Sequence, residues 1–90
     1  MNKKIEFHGA AWEDYRYWIT QDRKTLKRIN QLLEDIDRNG YDGIGKPEQL
    51  SGNYAGYWSR RIDERNRIIY RINDDTIEVI KCSNHYDDKK

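Results

Sequence analysis

What most limits the fold of this chain lies in its last third. Three alternating runs, Tyr57 to Asp63, Arg67 to Ile72 and Thr76 to Cys82, are separated only by Glu64-Arg65-Asn66 and Asn73-Asp74-Asp75. Alternation with period two is the mark of a half-buried strand, and turns this short and polar join antiparallel neighbours, so the region predicts a three-stranded meander. A three-residue first turn sets Asp63 opposite Arg67, Arg61 opposite Ile69 and Ser59 opposite Arg71. That register gathers Trp58, Ile62, Ile68, Tyr70 and Ile72 on one face together with Arg60. Ser59, Arg61, Asp63, Arg67 and Arg71 fall on the other. A slip of one residue would mix the isoleucines with Arg67, so the hydrophobic pattern opposes it.

Upstream, Lys4-Ile5-Glu6-Phe7-His8 alternates as a strand and Gly9 ends it. From Ala10, the spacing of Ala11, Trp12, Tyr15, Trp18 and Ile19 predicts a helix of about ten residues, with Trp12, Tyr15 and Trp18 packing into the core. Asp22 is placed to cap a second helix with the stripe Leu26, Ile29, Leu33 and Ile36, and Gly40 to stop it. Residues 39–56 hold five of the six glycines and the only proline. They read as a long loop, and long loops in small domains usually carry function. The expected architecture is therefore β-α-α-β-β-β, an α+β domain with two helices on one face of a mostly antiparallel sheet and the other face open. Ninety residues make one domain, taken as residues 1–86, with 87–90 as a short tail. At 36% hydrophobic and 37% charged, the core must come from few, large side chains, which three Trp and seven Tyr supply.

No window approaches the roughly 18 consecutive apolar residues of a membrane helix, and the first residues, Met1-Asn2-Lys3-Lys4, do not lead into a secretory core. The lone Cys82 cannot form an internal disulfide, and no Cys/His set has zinc-ligand spacing, so a soluble, cytoplasmic protein without metal or cofactor is expected. His8 and Cys82 read as structural residues. The net charge is only +1, yet Arg60, Arg61, Arg65, Arg67 and Arg71 crowd one short stretch against Asp63 and Glu64.

Such arginines can simply solvate a sheet face, pairing with Asp63 and Glu78. Their neighbours suggest more: Lys46 and Glu48 in the glycine-rich loop, and His85-Tyr86 just after the last strand. Cutting RNA without metal requires a base for the 2′-hydroxyl, an acid for the departing 5′-oxygen and cations for the phosphorane. Glu48 is a candidate base and His85 a candidate acid. Arg61 and Arg67 can offer guanidinium forks to phosphate, and Tyr86 can stack on a base or bond the phosphate. Lys46, Arg60 and Arg71 are candidate RNA-binding residues.

The runs Trp12-Glu13-Asp14-Tyr15-Arg16-Tyr17-Trp18, Gly45-Lys46-Pro47-Glu48-Gln49-Leu50, Gly56-Tyr57-Trp58-Ser59-Arg60-Arg61-Ile62 and Asn84-His85-Tyr86 resemble the YoeB (Txe) toxins of the RelE superfamily. The resemblance covers nearly the whole chain in four ordered motifs. It implies a ribosome-dependent mRNA endonuclease with Glu48 as general base, His85 as general acid, and Tyr86, Arg61 and Arg67 completing the site. It also implies partners: the ribosome with mRNA in its A site, a YefM-like antitoxin and a second copy of the chain. Two departures stand out, Ser51 where relatives can carry lysine and a continuation from Asp87 to Lys90. The alternatives are a ParE-like, non-catalytic toxin on the same fold and a plain RNA-binding module; Glu48 and His85-Tyr86 argue against the first.

Overall fold

A computed structural model of the chain describes residues 2–84. The elements run β1 (Lys4–Phe7), α1 (Ala10–Gln21), α2 (Arg23–Asn39), β2 (Glu48–Gln49), a single 3₁₀ turn (Gly52–Tyr54), β3 (Trp58–Arg61), β4 (Arg67–Asn73) and β5 (Thr76–Ser83). The sheet has five strands in the order β1-β5-β4-β3-β2. β1 runs parallel to β5 and every other pairing is antiparallel. The expected α+β arrangement is present, with one strand more than the sequence predicted: two residues of the long loop, Glu48 and Gln49, pair with β3.

Both helix signals act as read. The Asp22 carboxylate accepts from the Thr25 backbone N–H at 3.1 Å and from its hydroxyl at 2.9 Å, giving the first turn of α2 an acceptor. The Thr25 N–H first, then its hydroxyl, stabilise the anion, so the Asp22 carboxyl titrates below its usual range. Gly40 ends α2 at φ 69°, a conformation that favours glycine. The buried stripe is Thr25, Ile29, Leu32, Leu33 and Ile36. Leu26, expected in it, is only half-buried, while Leu32 lies fully inside. Trp12 is a second correction: at 48% exposure it is not a core residue. It sits at the rim instead, 6.0 Å from the Phe7 ring and 6.5 Å from that of Tyr15.

The core lies between the helices and one sheet face, where Ile29, Leu32 and Ile36 meet Ile68, Tyr70, Ile77, Val79 and Cys82. α1 also closes a gap in the sheet. β1 covers β5 only as far as Val79, so Cys82 has no strand on that side. Side chains of α1 replace it: the Asp14 carboxylate accepts from the Cys82 N–H at 3.0 Å, and the Trp18 indole N–H donates to the Cys82 carbonyl at 2.8 Å. An edge that would leave buried backbone groups unpaired is satisfied by one helix. Cys82 itself is buried, and desolvation first, then the Asp14 carboxylate, push its thiol up to about 12, so it is inert at neutral pH.

The β3–β4 register differs from expectation by two residues. Arg61 pairs with Arg67, Ser59 with Ile69 and Trp58 with Tyr70. The cause is Asp63, expected to sit in the ladder opposite Arg67. Its carboxylate instead accepts from the backbone N–H groups of Arg65 at 2.8 Å and Asn66 at 2.7 Å, and from the Asn66 amide, building a turn that begins before the predicted one. A shift of two preserves the period of the strand, so every residue keeps the face the sequence assigned to it.

Candidate active site

The face of the sheet turned away from the helices carries the residues in question. Glu48 lies opposite Ser59 across β2–β3, and Arg61 opposite Arg67 across β3–β4. The loop ahead of β2 is pinned to achieve this. The Arg61 N–H donates to the Gly45 carbonyl at 2.7 Å, and a Cβ on Gly45, which sits at φ +82°, would approach the Leu32 side chain to 2.8 Å. Glycine at 45 thus lets the loop lie against the sheet, and the two residues after Pro47 fall into register with β3.

Arg61 is exposed, and among the described residues its guanidinium has no hydrogen-bond partner. Directly opposite it, Arg67 gives Nη1 to the carbonyls of Asp63 at 2.9 Å and Asn66 at 3.2 Å. No described group takes its Nε–Nη2 edge. Like charges placed opposite one another on a sheet are unfavourable unless something negative lies between them. Two guanidinium forks in this arrangement suit a phosphate, which can accept from both.

Arg71, on the same face, is already engaged: it pairs with Glu78 at 2.7 Å and lies 4.9 Å over the Tyr57 ring. That guanidinium holds the Glu78 carboxyl below its usual range. Lys46 is exposed in the loop at φ 53°. Arg60, expected among the RNA-binding residues, is not available to RNA. It is 0% exposed on the helix-facing side, ion-paired with Asp35 and donating to the carbonyls of Gly40 at 2.8 Å, Asp42 at 2.6 Å and Ile44 at 3.0 Å. It is a bolt between the sheet, α2 and the loop. His85 and Tyr86 lie outside the described residues.

Sequence reasoning missed Lys81 and Ser83 on this face, where they pair with Ile69 and Arg67. Among the described residues, one group has metal-ligand character: Glu6, His8 and Glu78, whose ligand atoms lie within 4.8 Å of one another at the β1 edge. His8 is exposed there, with Nε2 3.0 Å from Glu6.

The family described as the YoeB-like toxin of bacterial type II toxin-antitoxin systems matches residues 7–86, nine-tenths of the chain. The chain belongs to this family. Toxin RelK of Mycobacterium tuberculosis is 46% identical over 84 residues, covering 93% of this chain and 99% of the relative. Toxin YoeB of Escherichia coli is 41% identical over 83 residues, covering 92% and 99%. Among solved structures, the Staphylococcus aureus YoeB seen as a dimer superposes with a TM-score of 0.89 at 46% identity, covering 96% of this chain and all of that one. The same species' YoeB in a heterotetrameric complex with YefM gives the same values. YafQ of Escherichia coli, at 16% identity and a TM-score of 0.75, shares the fold. Among the described residues, no helix of this YoeB-like toxin is long and apolar enough to cross a membrane.

Proposed function

We propose that this toxin is a ribosome-dependent mRNA endonuclease that cuts mRNA in the ribosomal A site by general acid-base chemistry, and that it is held in check by a YefM-like antitoxin in the cytoplasm. The carrying observation is the opposed pair Arg61 and Arg67 with Glu48 on the same sheet face. A phosphodiester drawn between the two forks brings its 2′-hydroxyl toward the β2 side, where the Glu48 carboxylate takes the proton. The hydroxyl oxygen then attacks phosphorus, the guanidinium groups neutralise the phosphorane, and His85 returns a proton to the departing 5′-oxygen. Tyr86 stacks on a base or bonds the phosphate. No step of this scheme calls on a metal ion. The products are a 2′,3′-cyclic phosphate or its 3′-phosphate hydrolysate and a 5′-hydroxyl. The dimer and the YefM complex of the Staphylococcus aureus relative support a homodimer and a YefM-like inhibitor as partners here.

The test separates the two proton transfers. On mRNA-programmed ribosomes, Glu48→Gln and His85→Ala are each expected to lose about 10²–10⁴-fold in single-turnover rate. A 5′-thio link at the scissile bond, whose sulfur departs without a proton, is expected to rescue His85→Ala and not Glu48→Gln. Rescue of the opposite variant reverses the two roles; full activity of both on ordinary mRNA ends the enzymatic reading in favour of a binding toxin.

A further inference from the structure

β5 does not keep a constant phase. Thr76 and Glu78 face the open side, and Ile77 and Val79 face the core. Unbroken alternation would send Lys81 into the core and Cys82 out. Instead the ladder steps from Tyr70↔Val79 to Ile69↔Lys81, leaving Ile80 as an extra residue. This bulge reverses the phase: Cys82 is buried in the core, and Lys81 and Ser83 join the open face beside the arginines. Bulges are over-represented next to active sites because they re-aim a side chain.

Lys81 thereby ends a row that crosses four strands: Glu48, Ser59, Ile69, Lys81. Its two middle members are covered by their neighbours, Ser59 almost and Ile69 fully buried although both lie on the face away from the core. A carboxylate stands at one end of this row and an ammonium at the other, with Arg61 and Arg67 in the adjoining row. Lys81 is half-buried and, among the described residues, has no hydrogen-bond or ion-pair partner, unlike Arg60 and Arg71. A half-buried lysine can pack its methylene stem and keep its charge in solvent.

We propose that Lys81 is a substrate-binding residue that holds an RNA phosphate neighbouring the scissile one, at the end of the row away from Glu48. This rests on the nuclease reading of the same face. Three inter-strand steps of about 4.8 Å separate the backbones of Glu48 and Lys81 by roughly 14 Å, so the two ends meet different links of the strand. A contact to a non-reacting phosphate strengthens ground state and transition state alike, and therefore acts on half-saturation and not on the rate at saturation.

In single-turnover cleavage on programmed ribosomes, Lys81→Gln is expected to raise the half-saturating toxin concentration about tenfold and to leave the plateau rate within about twofold. Lys81→Arg is expected to restore most of the loss, and Lys81→Gln to lower the slope of log affinity against log salt by about one. Half-saturation equal to wild type overturns the assignment. So does a plateau that falls as it does in Glu48→Gln. A second readout is independent of cleavage: titration with an uncleavable 2′-deoxy trinucleotide, followed by NMR of the lysine side chains, is expected to shift Lys81. If the wild-type protein does not cut ribosome-bound mRNA, the nuclease reading fails and the titration alone decides: a shift keeps Lys81 as an RNA contact, and none removes it.

Discussion

Arg60 and Arg61 are neighbours in the chain and point to opposite sides of the sheet, so the same side chain serves two unlike ends. Arg60 is buried with Asp35 as its counter-charge. Burial alone would raise the Asp35 carboxyl, but the Arg60 hydrogen bond, with further bonds from the Ile44 N–H and Asn39, outweighs it and holds the group below its usual 3.8. A carboxyl depressed in the folded state stabilises fully above its unfolded value, and that contribution fades as pH falls through the folded one. Asp35→Asn is therefore expected to cost about 3 kcal/mol at neutral pH, lowering the thermal midpoint by more than about 10 °C. The loss relative to wild type should shrink below about pH 4, and calorimetry across that range measures it. Arg61 inverts the pattern. Facing Arg67 with no described counter-charge, it opposes folding slightly, and Arg61→Ala is expected to keep the midpoint or raise it by up to about 5 °C. The same variant should lose on the order of 10²-fold in cleavage, the cost of removing one charge-stabilising donor.

At the scale of elements, the deciding piece is the loop that becomes β2. Glu48 stands on the same sheet face as the arginines because Gly45 lies against Leu32 and accepts from Arg61, and no other residue fits there without strain. Gly45→Ala is expected to cost about 1–3 kcal/mol in stability. Its loss of cleavage should exceed what that destabilisation explains, because Glu48 shifts; activity equal to wild type at a temperature where both are folded would contradict this. The sequence carried some of this and not the rest, for identifiable reasons. β3, β4 and β5 were visible in the alternation of Trp58 to Cys82, and the faces survived a wrong register because the error was an even number of residues. β2 was not visible: Glu48-Gln49 is too short and polar to signal a strand, and its pairing comes from the pinned loop. Lys81 was hidden by the bulge at Ile80, since strict alternation assigns it to the wrong side. Arg60 was misassigned because the ion pair that buries it comes from α2, twenty-five residues earlier in the chain. His85 and Tyr86 are legible as residue types placed just after the last strand, and the family resemblance then gives them their roles; both lie outside the described residues.

The described residues span 35 × 31 × 23 Å, and the candidate site is a sheet face with an arginine pair. Such a surface can grip a phosphate, but it has little with which to fix the torsions of a flexible RNA strand. In-line attack needs the 2′-oxygen, phosphorus and 5′-oxygen aligned, and correct orientation is among the largest contributions to a reaction of this kind. Under the proposed function, that orientation comes from the ribosome, which holds the A-site codon, while the toxin supplies charge and proton transfer. Three rates distinguish this division of labour from a self-sufficient nuclease: cleavage of one mRNA on programmed ribosomes, of the same mRNA free in solution, and of the free mRNA at saturating toxin. The ribosomal rate is expected to exceed the free rate by on the order of 10³-fold or more, and the gap should persist at saturation, because what is missing is alignment and not affinity. Comparable plateau rates would mean that the arginine face orients RNA by itself. A gap that closes at saturation would mean that the ribosome merely concentrates the substrate.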